Sequence, residues 1–193
     1  AQCFVATQEV LDAIVGFPLH RGLVASAERG LAALPEHVSK RSRRLLIVDG
    51  VNDAENLGSL FRNAAAFDVD GVLLDDKSQD PLGRRVVRVS MGHSLSIPWA
   101  RSNTVDGITR LGDAGAHTIA LTPHGEHTLD DIDLEADTQT ALVVGAEGPG
   151  LAEDVLQACR WRVRIPMRSD VDSLNVAVAS SVALHHLHRD RLR

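Results

Sequence analysis

Residues 165–187 read IPMRSDVDSLNVAVASSVALHHL. Ile165 ends a short apolar run that Pro166 closes, an acidic loop follows, and Ser173-Leu174-Asn175 opens an alanine- and valine-rich helix expected over 174–188. Ser173 reads as the cap of that helix, because its hydroxyl can accept from backbone N–H groups of the first turn. Asn175 would then stand inside the first turn, where an asparagine weakens the helix and needs a reason other than stability. The pattern of apolar run, polar loop and helix recurs upstream. Strands are expected at 45–49, 71–74, 95–99, 117–121, 141–144 and 163–165, with helices at 56–67, 82–91, 104–114 and 151–159 between them. Such alternation specifies an α/β fold: a mainly parallel sheet, helices on both faces, and a ligand site beyond the C-terminal strand ends.

Two other strand-to-helix loops stand out. Asn52-Asp53-Ala54-Glu55-Asn56-Leu57-Gly58 places cap-forming residues where a helix starts, with Arg62 further along that helix. Helix N-termini attract anions, so the loop and Arg62 together suit a phosphate. Gly145-Ala146-Glu147-Gly148-Pro149-Gly150 lets a ligand approach the backbone, and Glu147 can accept hydrogen bonds from it. It matches neither GxGxxG after a first strand nor a lysine-bearing P-loop.

The chain has 193 residues, 44% of them hydrophobic, a formal charge of −6 and no apolar run long enough to span a bilayer. A net acidic chain is repelled by nucleic acid at long range, which disfavours indiscriminate binding. Its cations are nonetheless clustered: Arg41, Arg43 and Arg44; Arg84, Arg85 and Arg88; Arg160, Arg162, Arg164 and Arg168. Arginine forks match phosphate oxygens, so these clusters form candidate anion-binding faces. Aromatic residues are scarce and tyrosine is absent, which argues against a base-stacking platform. Cys3 and Cys159 form no CxxC pair, so neither a disulfide framework nor a zinc site is expected, and a reducing cytoplasm follows. His185, His186 and His188 suit a helix C-terminus better than a metal, as His124 and His127 suit a polar loop. Thr7 is expected to cap a helix through Val15, with residues 35–44 a basic linker and a domain boundary near residue 40. The start at Ala1 without an initiator methionine or signal pattern suggests a trimmed longer protein.

Taken together, Asn-x-Gly-x-x-x-Arg from Asn56, Gly-x-Glu-Gly-x-Gly-Leu from Gly145, and Ile-Pro-Met followed by Ser-Leu-Asn-Val-Ala-Val-Ala resemble the SpoU/TrmH class of SPOUT RNA methyltransferases. Ser90-Met91-Gly92 is similar to that family's middle segment, and the resemblance covers residues 45 to 190. Residues 1–40, with His20-Arg21-Gly22, are similar to the end of an RNA-recognition module and its linker, leaving 41–193 as the catalytic domain. The resemblance implies a C-terminal trefoil knot, a homodimer and bound S-adenosylmethionine. It implies a cofactor pocket at Leu121, Thr122, Gly145, Ile165, Met167, Ser173, Leu174 and Asn175. It implies methyl transfer to a ribose 2'-hydroxyl of RNA, ribosomal more than transfer RNA, with Asn56, Arg62, Glu147, Ser173 and Asn175 as the catalytic set and no metal. RNA would be met by Arg43, Arg44, Arg84, Arg85 and Arg88. A non-catalytic RNA-binding or assembly protein retaining the fold is the alternative; the complete catalytic set disfavours it. Two positions where the family commonly has glycine carry Ser169 and Asp68.

Overall fold

The computed structural model describes residues 2–20, 22–30, 33–134 and 138–189. Arg21, one of the residues carrying the N-terminal resemblance, lies outside the described residues. The chain divides into two units, Ala1–Leu31 and Ala32–Arg193. In the first, α1 (Gln8–Val15) follows Thr7 and stops at Gly16, whose φ of 77° is left-handed, as expected for a glycine terminator. Thr7 makes no side-chain cap bond. The Asp12 carboxylate instead accepts from the Leu19 N–H at 2.7 Å, folding residues 16–19 back over the helix.

The second unit is a seven-stranded sheet in the order β3-β2-β1-β6-β4-β7-β5. Its strands are β1 (Arg44–Asp49), β2 (Gly71–Leu74), β3 (Trp99–Arg101), β4 (His117–Leu121), β5 (His127–Thr128), β6 (Thr140–Gly145) and β7 (Trp161–Arg164). Every pairing is parallel. Parallel strands need covering on both faces, and the alternation of side chains divides the core accordingly. Leu46, Val48, Leu142 and Val144 pack with α3 (Ala54–Ala66), α4 (Arg84–Val89) and α7 (Val176–His188). Leu45, Ile47, Ala141 and Val143 pack with α2 (Pro35–Arg41), α5 (Thr104–Asp113) and α6 (Glu153–Ala158).

Two further expectations change. Residues 35–44, read as a linker, form α2, which buries Val38, and then enter β1. The strand expected at 95–99 begins only at Trp99, because His93–Leu95 form a 3-10 turn closed by the Ile97 N–H on the His93 carbonyl at 3.0 Å. Strand β5 escaped the sequence reading because two residues carry no periodicity. Among the described residues no helix is long and apolar enough to cross a membrane.

Candidate active site

Strands β1, β2 and β3 run to one side of the sheet and β6, β4, β7 and β5 to the other, so the β1–β6 seam is where the chain changes direction. Ligands of α/β sheets bind outside the C-terminal strand ends near such a point. A cleft of about 800 Å³ opens there, inside the range of roughly 300–1,000 Å³ usual for small-molecule sites. All eight residues expected to hold a cofactor line it: Leu121 and Thr122 after β4, Gly145 at the end of β6, Ile165 and Met167 after β7, then Ser173, Leu174 and Asn175. Glu147 lines it as well. At Gly145 a Cβ would lie 2.6 Å from the Gly150 carbonyl carbon, so only glycine permits the loop to fold back. Glu126, Glu153 and Arg162 also face the cleft. The Arg162 guanidinium lies 3.0 Å from the Glu126 carboxylate. No local motif marks this pair, since only the pairing of β5 on β7 brings the two together.

Asn175 explains the helix start that the sequence left open. It is the N-cap of α7, its Oδ1 accepting from the N–H groups of Ala177 at 2.9 Å and Val178 at 3.2 Å. The expected cap at Ser173 is therefore corrected: the helix begins two residues later than read, and Ser173 stands exposed on the cleft wall. Because the helix engages the amide oxygen, Asn175 must turn its Nδ2 outward. That nitrogen donates to Asn56 Oδ1 at 2.8 Å and to Glu147 Oε1 at 2.6 Å. The three motif loops thus meet at one side chain, with residues 119 and 28 positions apart joined through it. Asn56 itself sits in the first turn of α3, whose cap is Asp53, accepting from the Glu55 and Asn56 N–H groups at 2.9 and 2.8 Å.

Arg62 lies further along α3, exposed, outside the cleft lining and with no ion pair to a described residue. Its neighbour Asn63 ties α3 to α7 by donating to the Ala177 carbonyl at 2.7 Å. Of the candidate RNA-facing arginines, Arg84, Arg85 and Arg88 are exposed on α4, and Arg85 pairs with Glu55 in the first turn of α3. Arg43 is exposed beside β1. Arg44 differs: its side chain is only 14% exposed and its fork is occupied by Asp68 at 2.7 Å and Asp70 at 3.3 Å. Burial pushes the Cys159 thiol up to about 12, against the opposing pull of Arg162, so it is not a nucleophile at neutral pH. His185 packs edge-on against the Phe67 ring, 5.8 Å between centroids, and His186 lies 3.6 Å from Asp130.

A protein of Mycobacterium tuberculosis named as an uncharacterized tRNA/rRNA methyltransferase is 42% identical over 98% of this chain and 67% of its own length. Among solved structures, an AdoMet-bound rRNA methyltransferase of Sinorhizobium meliloti superposes with a TM-score of 0.77 at 29% identity, covering 84% of this chain and 62% of that one. An RNA 2'-O ribose methyltransferase superposes with a TM-score of 0.68 at 27% identity, covering 92% and 63%. The chain therefore spans between 62% and 67% of the length of these three proteins. Residues 43–185 match the model of the SpoU rRNA Methylase family. That match spans more than half of the chain, and the chain belongs to the SpoU rRNA methylase family.

Proposed function

We propose that the protein is an S-adenosylmethionine-dependent methyltransferase acting on a ribose 2'-hydroxyl of RNA, ribosomal RNA rather than transfer RNA. The observation that carries this reading is the Asn175 amide bridging Asn56 and Glu147 at the mouth of the cleft. A retired scaffold has no need to align three loops on one donor. The cleft fits the cofactor: glycine backbone at Gly145, apolar walls at Leu121, Ile165, Met167 and Leu174, and carboxylates for a sulfonium cation. Two relatives support the details, one solved with AdoMet and one a 2'-O ribose enzyme. Bound there, S-adenosylmethionine supplies an activated methyl group.

The protein's part is alignment and proton management. Arg62 binds the target phosphate and orients the hydroxyl; it stays protonated near neutrality and so does not act as the base. With the cofactor held by the cleft residues, the target phosphate would pass the proton released by the ribose hydroxyl on to solvent. Glu147, Ser173 and Asn175 position ribose and cofactor, and Asn56 offers its own amide N–H groups because Asn175 occupies its oxygen. Arg43, Arg84, Arg85 and Arg88 meet the RNA backbone; Arg44 leaves that set because Asp68 and Asp70 occupy it. The residues ahead of α2 are the end of an RNA-recognition module and its linker, α2 itself being part of the sheet unit, and the enzyme works in the cytoplasm as a homodimer joined at α7. A trefoil knot is proposed where Gly125 crosses β7, since a Cβ there would lie 2.4 Å from the Val163 carbonyl carbon.

Calorimetry with S-adenosylmethionine, and methyl incorporation into total RNA from a strain lacking the gene, test this reading. Micromolar binding and a new 2'-O-methyl are expected; no binding at millimolar cofactor sinks it. Arg62→Ala is expected to abolish methylation while leaving cofactor affinity within about twofold, because Arg62 lies outside the cleft.

A further inference from the structure

The loop after β2 is held by more hydrogen bonds than a surface connection requires. Arg101, at the end of the edge strand β3, directs its guanidinium at three backbone carbonyls of that loop: Asp75, Ser78 at 2.8 Å and Gln79 at 3.0 Å. The Asp75 carboxylate, 8% exposed, accepts from the N–H groups of Gly50 at 2.9 Å, Ser78 at 2.9 Å and Lys77 at 3.1 Å, and from the Ser78 hydroxyl. The Ser78 hydroxyl in turn accepts from the Val51 N–H at 3.1 Å, and the Gln79 N–H donates to the Val51 carbonyl at 2.9 Å. These bonds end on the backbone of Gly50 and Val51, just before the Asp53 cap that starts α3 with Asn56 and Arg62. Past residue 79 the same loop runs into α4, which carries Arg84, Arg85 and Arg88 and is tied to α3 through Arg85 and Glu55.

We infer that Arg101, acting through Asp75 and Ser78, is a positioning residue that fixes α4 and the start of α3 to one another. Resting on the proposed methyl transfer, this assigns the clamp the job of holding the RNA-facing arginines in register with Asn56 and Arg62. The fork matters, since a lysine ammonium is a single point charge that reaches fewer of the three carbonyls at once. The cofactor cleft is lined wholly by residues from Leu121 onward, so the clamp lies outside it.

The test uses the full chain with Arg101→Ala, Arg101→Lys and Ser78→Ala. Each is titrated with S-adenosylmethionine for affinity and stoichiometry, then assayed with labelled cofactor on total RNA from a strain lacking the gene. Rates are normalised to cofactor-binding sites. Arg101→Ala is expected to lower kcat per binding site about 10- to 100-fold, the range for a misplacement of roughly 1 Å. The RNA KM is expected to rise, the cofactor Kd to stay within about twofold, and Arg101→Lys to recover part of kcat. If lost activity follows lost binding sites, with kcat per site unchanged, Arg101 only supports folding and the inference is overturned. Unchanged kcat and KM in Arg101→Ala also overturn it. A wild-type protein that binds no cofactor or transfers no methyl fails the functional reading instead, so the two failures are distinct.

Discussion

Asn175 does two jobs with one amide, and substitution separates them. Asn175→Asp keeps an oxygen for the Ala177 and Val178 N–H groups but removes the donor and sets a second carboxylate against Glu147. Thermal unfolding is expected to change by less than about 1 kcal/mol, since aspartate caps as well as asparagine, while methyl transfer falls at least tenfold. Asn175→Ala loses both functions and about 1 kcal/mol of helix stability besides. Asp68 shows how a departure from the family pattern is accommodated. Its φ of 56° is left-handed, which explains why glycine suits the position. Aspartate tolerates that region better than most residues, and its carboxylate engages Arg44. Asp68→Ala keeps the strain and loses the partner, so denaturant unfolding is expected to report a loss of about 1–2 kcal/mol. Asp68→Gly is expected to stay near neutral.

Elements show where sequence patterns stop informing. Strands β1, β2, β4 and β6 were legible because their apolar runs sit between loops rich in glycine or cap-forming residues. That a ligand site lies beyond the strand ends was legible from the fold class, whereas the residues lining the cleft were named from the family resemblance and not from any local pattern. The Arg101 clamp, the pairing of Glu126 with Arg162 and the internal role of Arg44 were not, because each depends on strand order rather than on neighbours in sequence. Asp75 gives its element a pH signature. Burial raises its pKa, but the Ser78 hydroxyl and the Gly50, Lys77 and Ser78 N–H groups outweigh that and hold it below the usual 3.8. A folded-state value below the unfolded one contributes stability that is present above the unfolded pKa and lost as pH falls through the folded one. Stability measured from pH 6 downward should therefore decline below about pH 4, near the unfolded aspartate value, and less steeply in Asp75→Asn. In α7, Ser180 is fully buried and its hydroxyl has no hydrogen-bond partner among the described residues. Ser180→Ala is expected to be neutral or stabilising by up to about 1 kcal/mol in thermal unfolding, since the alanine leaves no buried polar group unsatisfied.

For the molecule as a whole, α7 exposes Val178 at 51% and Val182 at 43%, one turn apart on the same helix, with Leu174 at 37% just before it. The proposed homodimer covers these side chains. Val178→Asp with Val182→Asp is expected to give a monomer by light scattering with circular dichroism unchanged; a dimer of undiminished mass would exclude this face. The β1–β6 seam carries a further consequence. Everything that lines the cleft comes from residue 121 onward, whereas Asn56, Arg62 and the arginines of α4 come from the strands and helices on the other side. On the proposed function, the chain is thus split in space between a part that keeps the methyl donor and a part that meets the acceptor. On that reading, substitutions that change RNA choice belong to the β1 side and those that change cofactor affinity to the β6 side, with Asn175 the side chain that touches both motif loops.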